Sequence, residues 1–374
     1  MKNILYPNYD RSILSISSSL LKYYNLESNY PSLKELDDEL KKNYKNIVFL
    51  ILDCFGTSIM EKNLKKNSFL RQHVVANITS VFPPTTAAAT TSFHSGMSPY
   101  ESGWIGWMPY FKEYDCMLEL FTGKDFYTRK NIIDSAFETN INYEPIYEKI
   151  SKSNKNIKYK KVFPNFVENG ARNYQELCEN ILSACNNSDK NLVSAYWTDP
   201  DHTIHINGVN GSVTRKVIKE LNDGIKKLSQ KLDDTLIIIS ADHGAVDVDE
   251  VYLNEIPEIN NCLLKPPSIE SRFVSFFIKK DKKDEFLENI NKYFKDEFLI
   301  FEHDEFLNSG LLGRGAVHPR INDYIGDYVF IAKGNINLRY VQDNKSKSQH
   351  LADHGGITPQ EINVPVILID TNNM

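Results

Sequence analysis

"NIVFLILD", Asn46 to Asp53, is an uninterrupted apolar run that ends on a carboxylate. A short run of this kind reads as a strand buried on both faces, as strands are inside a parallel sheet. Three more runs look the same: "NLVSAYW" (Asn191 to Trp197), "TLIIIS" (Thr235 to Ser240) and "INVPVILI" (Ile362 to Ile369). Between the middle two, Val217, Leu221, Leu228 and Leu232 recur at helical spacing, as do Tyr174, Leu177, Cys178, Ile181 and Leu182 before them. Strands alternating with helices predict an α/β fold with a largely parallel central sheet covered by helices on both faces.

The chain has 374 residues, enough for one large α/β domain with an elaboration. From about Cys262 to Phe330 the pattern changes. "RFVSFFI", a helix through Phe286, Leu287, Ile290 and Phe294, and then "FLIF" predict a small α+β insertion, a βαβ unit over 262–330. Residues 1–45 read as an N-terminal helical extension. The Lys-Asn-rich "KISKSNKNIKYKK" reads as an exposed loop.

A formal net charge of -6 gives no general attraction for nucleic acid or an anionic membrane. No nucleic-acid polymer is therefore expected as a partner, and no membrane insertion, since no run approaches a spanning length. The start "MKNILYPNYDRSILSISSSL" lacks a continuous apolar segment of the secretory kind. Five scattered cysteines (Cys54, Cys116, Cys178, Cys185, Cys262) form no CxxC pair, which points to a reducing compartment, the cytoplasm.

The chemistry gathers in the segments just beyond the strands. The first strand ends in Asp53, the second runs into "TDPDHTIH" and the third into "ADHG", while "HLADHGGITPQE" precedes the last. In open parallel sheets, ligands bind beyond the carboxyl ends of the strands, where loops converge. Asp53, Asp201, His205, Asp242, His243 and His354 could meet there, and three carboxylates with three imidazoles are a donor set for two zinc-like ions. Singly, each has an ordinary reading: Asp53 as a helix cap, Asp201 and His205 as a chance i,i+4 pair, Asp242 and His243 as turn residues beside Gly244. Asp199, His202 and Asp353 fit the spacing less well and read as supporting or surface residues. It is the recurrence at successive strand ends that favours a joint site.

"SVFPPTTAAATTSFHSG", Ser80 to Gly96, adds a hydroxyl. "NITSVF" reads as a strand, Pro83-Pro84 stops it, and "AAATTSFH" begins a helix. Thr85 and Thr86 would stand at that helix's N-terminus, where free N–H groups favour an anion. One of them could be an ordinary cap, and beside metal ions one could be a nucleophile toward phosphorus.

In this order the residues resemble the alkaline phosphatase superfamily, in its nucleotide pyrophosphatase/phosphodiesterase branch. "FPPTTAAATTSFHSGMSPYESG" is similar to that branch's segment around the nucleophilic threonine, with Thr86 in register. The resemblance implies an alkaline phosphatase-like catalytic domain over 46–261 and 331–374. It implies one ion held by Asp201, His205 and His354, and another held by Asp53, Asp242, His243 and Thr86. Zinc is the expected metal, with manganese the alternative. Two departures stand out: Cys54 replaces the glycine that usually follows the first aspartate, and Trp107 occupies the place of a phosphoryl-contacting asparagine.

The expected activity is metal-dependent hydrolysis of a small-molecule phosphate ester or pyrophosphate, of phosphodiesterase or nucleotide pyrophosphatase type. A phosphomonoesterase of the same superfamily and a non-catalytic metal-stabilised binding protein are the alternatives. A sulfatase is disfavoured because Thr86-Ala87-Ala88 lacks the Cys/Ser-x-Pro-x-Arg setting. "GWIGWMPYF" offers four rings, Trp104, Trp107, Tyr110 and Phe111, of which about two are expected in the core. Trp104 and Trp107 are the candidate substrate contacts, joined by His318 of "GRGAVHPR".

Overall fold

Every residue of Asn46–Leu52 is buried, as a strand apolar on both faces requires. The computed structural model, which describes residues 4–134, 141–187, 189–341, 347 and 349–373, places this strand inside a six-stranded sheet. The order across the sheet is Val74–Thr79, Asn363–Asp370, Thr235–Ser240, Asn46–Leu52, Lys190–Trp197, Ile157–Val162. Asn46–Leu52 pairs in parallel with both neighbours, and Ile157–Val162 pairs in parallel with Lys190–Trp197. Asn363–Asp370 alone runs backward, antiparallel to Thr235–Ser240 and to Val74–Thr79.

That reversal decides where the site forms. The start of Asn363–Asp370 lies at the sheet edge where the other strands end. The segment before it, which carries His354, is thereby delivered to the same edge as Asp53, Asp201 and Asp242. The strand expected around "NITSVF" ends earlier, at Thr79, which leaves Ser80–Thr85 as the lead-in to the helix Thr86–Ser95.

Helices cover the sheet. Ser212–Ser229 buries Ile218, Leu221, Ile225 and Leu228; Val217 sits at the margin of that face and Leu232 beyond the helix end. Tyr174–Cys185, which buries Leu177, Ile181 and Cys185, packs against it.

The structure refines three readings. The N-terminal extension is helical and packs into the main core: helix Ile13–Tyr23 lies on Thr86–Ser95, with Ile13, Leu14, Ile16 and Leu20 inside the main core. Its Ser17 hydroxyl donates to the Phe93 carbonyl at 2.8 Å. The Lys-rich stretch is not a loop: it forms the end of helix Ile146–Ser153 and the edge strand Ile157–Val162. Only Ile157 and Val162 of that strand are buried, and exposed lysines along an open edge discourage pairing with another chain. Finally, the insertion's strands Ser268–Ile269, Phe273–Phe276, Tyr328–Ala332 and Phe298–Glu302 form one antiparallel sheet in that order. Phe273–Phe276, helix Lys283–Phe294 and Phe298–Glu302 are a split βαβ, with Tyr328–Ala332 between the two strands. A boundary at 330/331 would cut that central strand.

Candidate active site

The site begins with backbone geometry at the strand ends. Asp53 comes directly after Leu52, and Asp242 and His243 come after Ser240 and one alanine. Asp201 opens the short helix Asp201–Asn207, so its side chain and that of His205 lie one turn apart on one face. His205 Nε2 is 3.2 Å from Asp201 Oδ2, and His354 Nε2 is 3.7 Å from Asp201 Oδ1. Across the site, His243 Nε2 is 3.4 Å from Asp53 Oδ1, 3.7 Å from Asp242 Oδ2 and 3.3 Å from Thr86 Oγ1. The rings of His243 and His354 stack with centroids 3.8 Å apart, which joins the two halves.

Donor atoms of Asp201, His205 and His354 lie within 4.8 Å of one another, as do those of Asp53, Asp242 and His243. Two of the imidazoles are held with their Nε2 atoms inward. His205 Nδ1 donates to the Ala352 carbonyl at 2.8 Å and His243 Nδ1 to the Gly244 carbonyl at 3.1 Å, and a carbonyl can only accept. Gly244 is required for contact: a Cβ there would meet the Gln360 carbonyl oxygen at 2.1 Å. Gly355 serves a turn instead, with φ at +104°.

Asp53 Oδ1, Asp201 Oδ1 and Asp242 Oδ2 are buried and accept no hydrogen bond from the protein. An unpartnered buried carboxylate oxygen costs on the order of 1–3 kcal/mol or more, so these three atoms fit cation ligation. Burial, then the neighbouring Asp242 and Asp201, pushes Asp53 well above the usual carboxylate range, and burial lifts Asp242 to about 6. Burial also depresses His243 and His354 to about 4, which keeps them neutral and able to ligate. His205 rises to about 10, because Asp201 outweighs the burial that opposes its charge.

Thr86 is the first residue of its helix, half-buried at the mouth of this cluster, while Thr85 is the cap and receives the Ala88 N–H at 3.4 Å. Thr86 also lines a cavity of about 800 Å³ together with Asp201, His205 and His354. Trp107 is on its wall. The insertion contributes Pro267, Glu270, Ser271 and Val274.

Two expected substrate contacts are elsewhere. Trp104 is buried, its indole N–H donating to the Ile141 carbonyl at 2.9 Å and its ring against Phe121, so it belongs to the core with Phe111. His318 folds over Gly103, and its Nδ1 accepts from the Arg320 N–H at 3.3 Å; it is a turn residue, absent from the cavity wall. Of the three residues whose spacing fits less well, His202 is exposed and Asp199 accepts from the Thr203 hydroxyl at 2.7 Å. Asp353 is buried, accepting from Asn337 at 2.9 Å and lying 3.3 Å from His350 and 3.9 Å from His205.

Several site residues are not apparent from the sequence. The Tyr196 hydroxyl donates to Asp53 Oδ2, and the Ser80 hydroxyl to the Asp242 carbonyl. His350 stacks near His205 at 4.5 Å between centroids. Glu270 accepts the Trp107 N–H at 2.7 Å, and burial lifts its carboxyl to about 8. Of these, Tyr196 carried a signal as the penultimate residue of a strand whose neighbour leads into Asp53, and His350 opens the stretch "HLADHGGITPQE" before the last strand.

Solved structures share this architecture. Murine ectonucleotide pyrophosphatase / phosphodiesterase 5 superposes with a TM-score of 0.64 at 14% identity, over 86% of this chain and 87% of that one. Its inactive form in complex with AMP gives 0.64 at 16% over the same shares. The human protein gives 0.62 at 15%, again over 86% and 87%. None of the curated proteins matches the chain significantly. A model of type I phosphodiesterase / nucleotide pyrophosphatase matches residues 47–356. The fold and this match define a hydrolase of phosphoester bonds in the alkaline phosphatase superfamily. Within that class the chain belongs to the metal-dependent type I phosphodiesterase / nucleotide pyrophosphatase family.

Proposed function

We propose that the chain hydrolyses a small-molecule phosphodiester or pyrophosphate with Thr86 as nucleophile and two divalent ions. Asp201, His205 and His354 would hold one ion; Asp53, Asp242, His243 and Thr86 would hold the other. The observation that carries this is the three unpartnered, buried carboxylate oxygens beside a threonine hydroxyl at a helix start. Histidine with carboxylate donors suits zinc, and manganese is the alternative. When bound, the ions lower the cost of the Thr86 alkoxide and neutralise charge on the phosphoryl oxygens.

Thr86 Oγ attacks phosphorus in line with the departing oxygen. The Thr86 hydroxyl gives its proton to solvent, the Oγ–P bond forms as the ester or anhydride P–O bond breaks, and the departing oxygen is protonated from solvent. Water then attacks the phospho-threonine, releasing the phosphate product and restoring the hydroxyl. Free N–H groups at the start of Thr86–Ser95 favour the anionic group there. The aromatic wall favours a flat substituent, and the AMP complex of the murine relative supports a nucleotide-like one. The scattered cysteines, all free thiols, support the cytoplasm as the compartment.

Elemental analysis of protein purified without chelator, combined with assay on aryl diesters, tests this reading. Up to two transition-metal ions per chain are expected, with activity lost on chelation and restored by zinc or manganese. Full activity in excess chelator contradicts it.

A further inference from the structure

Cys54 is a fully buried core residue at a backbone position that favours glycine. Its φ is +60°, in the left-handed region where a side chain costs roughly 1–2 kcal/mol and glycine costs nothing. The residue is completely buried. Its backbone is pinned at the site, since the Cys54 N–H donates to Asp242 Oδ1 at 2.9 Å. Its Sγ, a carboxylate oxygen of Asp201 and a ring nitrogen of His243 all lie within 4.8 Å of one another.

Those two partners come from different donor sets, Asp201 from one and His243 from the other. The thiol is therefore at the seam between them. A second observation points to a ligand beside it. Asp53 Oδ1 and Asp242 Oδ2, on residues 3% and 0% exposed, have no hydrogen-bond partner, and their carboxylates share His243 with the thiol as a neighbour. Unpartnered oxygens and a buried sulfur around one imidazole are arranged for a cation that accepts both donor types.

We propose that Cys54 is itself a metal ligand, its thiolate binding from the buried side at the seam of the two sites. This rests on the two-ion reading. Coordination forms a sulfur–metal bond and releases the thiol proton to solvent. A soft thiolate added to imidazoles and carboxylates biases the centre toward zinc and away from manganese or magnesium.

The test replaces the native ions with cobalt(II) in the full chain and in Cys54→Gly, which removes the sulfur and relieves the left-handed strain. Wild type should show a near-ultraviolet thiolate-to-cobalt charge-transfer band, and Cys54→Gly should bind cobalt without it. Zinc affinity in the variant should fall by at least about 10-fold, the scale on which even groups that only orient ligands act. Stoichiometric cobalt binding without the band in wild type overturns the proposal and leaves the two-ion reading standing. A band that persists in Cys54→Gly assigns it to another cysteine and also overturns the proposal. Failure to bind cobalt at all refutes the two-ion reading, and this proposal falls with it.

Discussion

Thr85 and Thr86 are adjacent and chemically alike, yet their surroundings assign them different work. Thr85 is 1% exposed and caps the helix; Thr86 is half-buried and 3.3 Å from His243 Nε2. Thr85→Ala should cost about 1 kcal/mol of stability, as lost caps do, with activity largely retained. Thr86→Ala should lower kcat by at least about 10³-fold with an unchanged unfolding midpoint. Denaturant melts and steady-state kinetics on both variants check the contrast. At this scale the candidate ligands were legible because carboxylates and imidazoles recur after buried strands. Trp104 and Trp107 were not separable: both belong to one aromatic run, and only tertiary packing gave one an indole bond to Ile141 and the other a place on the cavity wall. Glu270 comes from a segment without periodicity, so nothing local marked it.

At the scale of elements, the parallel core was readable from apolar runs and intervening helices. The reversal of Asn363–Asp370 was not, because a strand buried on both faces carries no trace of its direction. The same ambiguity hid the edge strand Ile157–Val162, whose lysines mimic a loop. One buried pair ties the insertion to the segment after His354. Arg272 and Glu361 are both 0% exposed and meet at 2.7 Å, and Arg272 also donates to the Ile336 and Gly334 carbonyls at 2.9 and 2.8 Å. Arg272→Met leaves a buried carboxylate unpaired and should cost about 3–5 kcal/mol. Urea denaturation would reveal this; a loss within about 0.5 kcal/mol, typical of surface changes, would show that the pair is not structural.

The same insertion lines part of the cavity, and the proposed substrate preference rests on that wall. Trp107 lies on the wall, its backbone held by Glu270, and an indole offers stacking area that an asparagine would not. Stacking on it is worth about 1–3 kcal/mol to a flat group that only a diester or pyrophosphate carries in addition. Wild type should favour an aryl diester over the matched monoester in kcat/KM, and Trp107→Ala should narrow the ratio. A ratio untouched by the substitution removes Trp107 from recognition.

For the whole molecule, the proposed ions would join stability to function. Binding to the folded state alone stabilises it by about 4 kcal/mol when free ion exceeds Kd by about 1,000-fold. Chelation should therefore lower Tm along with activity, and readdition of zinc should restore both; a Tm indifferent to chelator would separate the buried carboxylates from any ion. The covalent step proposed at Thr86 is the centre of the proposed mechanism. Rapid acid quench during diester turnover, with peptide mass analysis of the quenched protein, measures it. The expected result is a phosphoryl adduct on Thr86, absent from Thr86→Ala and from chelated enzyme. An adduct on any other residue, or full turnover by Thr86→Ala, would contradict it.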